Sequence, residues 1–98
     1  MASSVSAPNL SLKQWHVYLI RTRANTLYCG ITNDLERRFA QHQTGKGAKY
    51  LRGKGPLELV WSISVDGKSA ALKEEIRIKK LSKPNKESLV KAVGGTFV

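Results

Sequence analysis

Tyr18, Tyr28, Gly30 and Arg38 crowd into one stretch of the chain, VYLIRTRANTLYCGITNDLERRF, and His42 follows one helical turn after Arg38. These residue types suit the handling of phosphate. An arginine braces a phosphate with its planar fork of donors. A phenol can hydrogen-bond a phosphate oxygen, or orient or deprotonate a water. A carboxylate holding a hard cation would complete such a set. The acids on offer are Asp34, Glu36, Glu58, Asp66, Glu74, Glu75 and Glu87. Most fall where caps, turns or surfaces explain them. Glu75 is the best candidate, because it projects from the middle of a wide apolar arc on a predicted helix. One inward carboxylate can hold one Mg²⁺ while water and phosphate oxygens fill the other positions.

Each of these residues also has a plainer reading. Tyr18 and Tyr28 suit cross-strand core aromatics with wet hydroxyls. Arg38 could lie along Phe39 and reach solvent. His42 could be a satisfied boundary histidine, and Glu75 could pair with Lys79 four residues on.

Other chemistries are excluded more firmly. A phosphate-binding loop fails, since Gly47 and Gly53 are separated by five residues rather than four and Lys54 precedes Gly55 rather than Ser or Thr. Two histidines and one cysteine, scattered, make no zinc site. No serine sits in a strand-to-helix elbow motif. Two-metal phosphodiester chemistry wants more converging carboxylates than the chain supplies.

The elements that must position these residues follow from periodicity. WHVYLIR, Trp15 to Arg21, is β-rich and apolar on both faces, as a well-covered strand is. TRANT connects it to LYCGI, Leu27 to Ile31, so the pair should form a hairpin with Tyr28 and Gly30 on one face and Leu27, Cys29 and Ile31 on the other. NDLERRFAQHQTG reads as a helix, capped by Asn33 with Glu36 closing a capping box, and stopped at Gly45. Leu35, Arg38, Phe39 and His42 share one side of it. LELVWSISV, Leu57 to Val65, is a third strand ending in an Asp66-Gly67 turn. Ser69 to Leu81 is a second helix, with Ala71, Leu72, Ile76 and Ile78 apolar. Pro84 opens a last helix through Val93, ended by Gly94-Gly95. The order β-β-α-β-α-α makes an α+β fold: a three-stranded, mainly antiparallel sheet with three helices. A single domain is expected over 14–94, after a flexible tail at 1–13 and before a short end at 95–98.

The totals point the same way. Seventeen Lys and Arg face seven Asp and Glu, for a net charge of +10 in 98 residues. Such a surplus attracts polyanions, nucleic acid above all. No acid interrupts the chain from Arg37 to Lys54, and the Gly45 to Pro56 segment holds four of the eight glycines. Arg37, Lys46, Lys49, Arg52 and Lys54 are therefore the expected nucleic-acid contacts. The aromatics are too few, and wrongly grouped, for a base-stacking sheet. Cys29, the one cysteine, is expected to be a buried structural thiol in a chain suited to a reducing, cytoplasmic setting. No apolar run is long enough to cross a bilayer.

The residues resemble the GIY-YIG nuclease superfamily, and its small stand-alone YhbQ-like branch in particular. His16-Val17-Tyr18 occupies the first signature triplet and Tyr28-Cys29-Gly30 the second. His16 and Cys29 depart from the pattern but leave both tyrosines and Gly30 in place. Arg38 stands eight residues beyond Gly30, at the position of the family's arginine. Glu75 stands at that of its metal-binding glutamate, and HQTGKGAKYLRGKGP is very similar to the stand-alone branch. The resemblance implies metal-dependent hydrolysis of phosphodiester bonds, with Glu75 holding Mg²⁺ or Mn²⁺ and Arg38 stabilising the crowded phosphorus centre. It gives Tyr18 the water-activating position, provided nearby cations lower its pKa. Tyr28 and His42 would orient water or phosphate, and Gly30 would allow close approach of backbone and substrate. Asn85 is a candidate counterpart of an asparagine that some members carry. The implied partner is DNA, non-specific or selected by branches, nicks or damage, bound by a monomer or weak homodimer without a membrane. The rival readings are a non-catalytic module binding DNA or RNA through the same surface, and a protein that docks on an acidic partner.

Overall fold

The computed structural model describes residues 14–95. The tail expected at 1–13 lies outside the described residues, as does the end from 96 onward. The elements are β1 (Gln14–Arg21), β2 (Leu27–Thr32), α1 (Leu35–Gln43), a short 3₁₀ turn (Lys49–Leu51), β3 (Glu58–Asp66), α2 (Gly67–Lys79) and α3 (Lys83–Gly95). The expected α+β order holds. The sheet runs β2-β1-β3 and both pairings are antiparallel.

β1 is central, which explains why it is apolar on both faces. Val17 and Leu19 enter one core with Cys29, Trp61, Ala71 and Ile78. Tyr18 and Ile20 enter a second core with Leu51, and Tyr28, Leu35 and Phe39 pack against it. α2 and α3 therefore cover one face, while α1 and the glycine-rich loop cover the other. A bulge between Leu19 and Ile20 shifts the pairing with β3, so the consecutive Val60 and Trp61 both reach the first core.

Several boundaries differ from expectation. α1 is capped by Asp34, not Asn33, and the Asp34 carboxylate accepts from the Arg37 amide at 3.2 Å. The cause is Thr32, whose Oγ1 accepts the Asp34 N–H at 3.0 Å and delays the helix by one residue. α2 starts at Gly67 rather than Ser69. At φ +87° this glycine turns the strand straight into the helix. The buried face of α2 is narrower than the expected arc: Ala71 and Ile78 are fully buried, but Leu72 and Ile76 are 41% and 54% exposed. α3 runs through Gly95 rather than ending at Val93. Arg21 on β1 holds it with a two-pronged ion pair to Glu87, at 2.7 and 2.8 Å. No helix among the described residues is long and apolar enough to cross a membrane.

Candidate active site

β1 and β2 pair so that Tyr18 lies opposite Gly30. The missing side chain at Gly30 makes room for the Tyr18 ring. A Cβ there would run into the phenol oxygen and its ring carbon. The close approach expected at Gly30 is thus made by the protein's own tyrosine.

α1 delivers His42 to the same spot. Its Nε2 lies 2.8 Å from the Tyr18 hydroxyl, in buried surroundings. Its Nδ1 accepts the backbone N–H of Ala48 at 3.1 Å. That bond decides the tautomer. A nitrogen accepting an amide proton cannot carry one, so in the neutral ring the proton sits on Nε2. His42 therefore donates to Tyr18, and the Tyr18 O–H is free to donate elsewhere. Gly47 makes this possible, because a Cβ at that position would collide with Nδ1 and with the His42 backbone.

Tyr28 completes the cluster. Its ring centroid lies 6.5 Å from that of Tyr18 and 5.8 Å from that of His42. Arg38 stands one turn before His42 on α1, with its guanidinium donating to Gln41 at 3.0 Å. It lines a cavity of about 190 Å³ with Thr32, Asn33, Asp34, Arg37 and Gln41.

Electrostatics set the protonation states. Burial, seconded by Tyr28, pushes the Tyr18 phenol up to about 12, although Arg38 pulls it down. The lowering that a base role would need is present in kind and outweighed in size. Burial, aided by the Arg38 charge, lowers the His42 pKa and keeps the imidazole neutral. The resting pair is a neutral imidazole donating to a neutral phenol.

Glu75 comes from a different element. It lies on α2, in the layer across the sheet, with its side chain 17% exposed and an ion pair to Lys79 at 3.2 Å. Its charge is felt at Cys29, whose buried thiol is pushed up to about 11 by burial first and Glu75 second. Cys29 lies between Tyr28 and Gly30, so Glu75 addresses the same segment of β2 from behind. β2 is an edge strand of the sheet. Among the described residues no three His, Cys, Asp or Glu side chains cluster to cage a metal ion. A lone carboxylate leaves the other positions of a hard divalent ion to water and phosphate oxygens. Asn85 is exposed on α3, its N–H on Ser82 Oγ at 3.3 Å.

Of the expected nucleic-acid contacts, Arg37, Lys46, Lys49 and Arg52 are exposed, and the half-buried Lys54 places its ammonium 3.8 Å over the Tyr50 ring. Three residues of the loop had no role in the sequence reading: Gly47 and Ala48, which fix His42, and Tyr50, which stacks on Tyr28 with centroids 5.8 Å apart. Their only sequence signal is a tyrosine set among glycines and cations.

Residues 14–88 match the model of the GIY-YIG catalytic domain. A UPF0213 protein of Vibrio cholerae is 73% identical over 77 residues, covering 78% of this chain and 76% of the relative. The UPF0213 protein YhbQ of Escherichia coli is 59% identical over 83 residues, covering 85% and 82%. The solution NMR structure of a UPF0213 protein from Bacillus halodurans superposes with a TM-score of 0.56 at 39% identity, covering 86% of this chain and 89% of that one. With residues 14–88 matched by the family model and relatives this similar over most of their length, the chain belongs to the GIY-YIG family, among the UPF0213 proteins.

Proposed function

We propose that this protein is a metal-dependent endonuclease that hydrolyses phosphodiester bonds in DNA with little sequence preference and serves DNA repair or recombination. The observation that carries the reading is the interlocked Tyr18, Tyr28 and His42 beside Arg38, on the face overhung by the cationic loop.

In this reading Arg38 meets the phosphate and offsets the charge that grows on it. Tyr18 has its oxygen occupied by His42, so its O–H donates to a phosphate oxygen or an attacking water. Tyr28 and His42 hold that phenol in position. Water activation by Tyr18 would require its pKa to come down from about 12, the direction in which a cation at the site would act. Glu75 would hold Mg²⁺ or Mn²⁺, which would supply positive charge for the phosphate and the leaving oxygen. Arg37, Lys46, Lys49, Arg52 and Lys54 grip the backbone and position DNA without reading its sequence.

The test is nicking of supercoiled DNA with Mg²⁺ by wild type, Arg38→Ala and Glu75→Ala. Each variant should lose at least about 10²-fold in rate. Two variants that cleave as fast as wild type would sink these assignments. One pair of observations favours a second reading, a nucleic-acid-binding module without turnover: Glu75 is engaged with Lys79, and Tyr18 keeps its proton well above neutral pH. That reading expects binding that survives EDTA and no cleavage with any divalent metal.

A further inference from the structure

Tyr50 is the one exposed aromatic ring among the described residues, with 46% of its surface open. It is nevertheless firmly held. Its ring stacks on Tyr28 with 16° between the planes, and its hydroxyl donates to Thr26 Oγ1 at 3.2 Å. Beside it lies a cavity of about 340 Å³, lined by Arg23, Thr26, Tyr50, Arg52 and Lys54 among others, with no acid in the lining. The Arg23 N–H donates to the Lys54 carbonyl at 3.0 Å, so the hairpin turn and the basic loop form one continuous wall.

The geometry points to a subsite for an unpaired nucleobase of single-stranded DNA, stacked on Tyr50 with its phosphates on Arg23, Arg52 and Lys54. This deepens the endonuclease reading and rests on it for the choice of DNA. An exposed ring flanked by cations is the arrangement by which proteins bind single strands without reading sequence. A base inside a duplex is already stacked and offers no free face, so only an unpaired one can use the ring. Lys54 now sits over that ring. A cation–π contact at an exposed site is weaker than a base stack, so an incoming base displaces the ammonium and leaves it to a phosphate. Tyr50 touches Tyr28, which touches Tyr18 and His42. A base held there is one ring away from the catalytic cluster, and its neighbouring phosphate is delivered to it. The preference this creates is for unpaired over paired DNA.

The experiment is fluorescence anisotropy in EDTA at fixed salt, with a labelled oligothymidylate and a duplex of equal length. Tyr50→Ala should weaken the single strand about ten-fold or more and leave the duplex within about two-fold. Tyr50→Phe and Tyr50→Trp keep a flat ring and should bind the single strand as wild type does. Tyr50→Leu keeps apolar packing on Tyr28 without the flat face and should behave as Tyr50→Ala, which separates stacking from folding. Equal losses on both substrates, or no loss on the single strand, overturn the proposal. An RNA strand held more than about ten-fold tighter, and weakened equally by Tyr50→Ala, overturns the assignment to DNA. Because binding is read without metal, a wild type that shows the stacking pattern yet cuts no DNA supports the subsite while counting against hydrolysis.

Discussion

Tyr18 answers two opposing demands. Burial and the neighbouring phenol of Tyr28 hold its proton on, while Arg38 draws it off, and the first pair prevails with a pKa of about 12. His42 does not settle the contest, since its own proton is fixed on Nε2 by the Ala48 amide. The consequence for stability has a definite sign. A phenol whose folded pKa lies above its ordinary 10 contributes stability that is complete below pH 10 and lost as pH rises through about 12. Stability measured by urea unfolding should therefore fall across that window in wild type. In Tyr18→Phe the fall should flatten, although the variant starts lower because the buried Nε2–H of His42 loses its acceptor, at a cost of about 1–3 kcal/mol. Parallel slopes in the two proteins would mean that Tyr18 titrates as an ordinary phenol.

Among the elements, α3 shows how an ion pair can set a docking. Its apolar residues Leu89 and Val90 reach the first core, and Arg21 and Lys83 both grip Glu87. The hydrogen bonds from Arg21 and Lys83 lower the Glu87 carboxyl to about 2. Its contribution is present above its ordinary 4.5 and lost as pH falls through about 2. NMR methyl shifts of Leu89 and Val90 should move across that window in wild type and should already be displaced at neutral pH in Arg21→Gln. Unchanged shifts in the variant would show that apolar contacts alone hold the helix. Little of this latch was legible in the sequence, because Arg21 and Glu87 are 66 residues apart and only the fold joins them. The strands and helices were legible, since alternation and helical spacing are local properties. So was the shared side of Leu35, Arg38, Phe39 and His42 on α1. The narrower burial of α2 was not: which part of an apolar arc is covered depends on how the helix crosses the sheet, and Leu72 and Ile76 fall on the uncovered part. The cluster itself was half legible. Triplet spacing located Tyr18, Tyr28 and Gly30, but the loop that returns over His42 through Gly47 and Ala48 leaves no periodic trace.

At the scale of the whole molecule, a net charge of +10 dominates encounter with any polyanion. Its distribution matters as much as its size. The exposed Arg37, Lys46, Lys49 and Arg52 lie within a stretch free of acids, while several other cations are neutralised: Arg21 by Glu87, Arg77 by Glu74, Lys79 by Glu75. Duplex binding should therefore be steep in salt, with log affinity falling against log salt by roughly 0.9 for each phosphate neutralised. Lys46→Gln, Lys49→Gln and Arg52→Gln should each reduce the slope by about that amount where the cation meets a phosphate, and their effects should add. Lys79→Gln is the informative control. Its charge is spent on Glu75, so it should leave the slope unchanged. A slope that drops equally for Lys79→Gln would mean that DNA responds to total charge, and the acid-free loop would lose its claim to be the binding face.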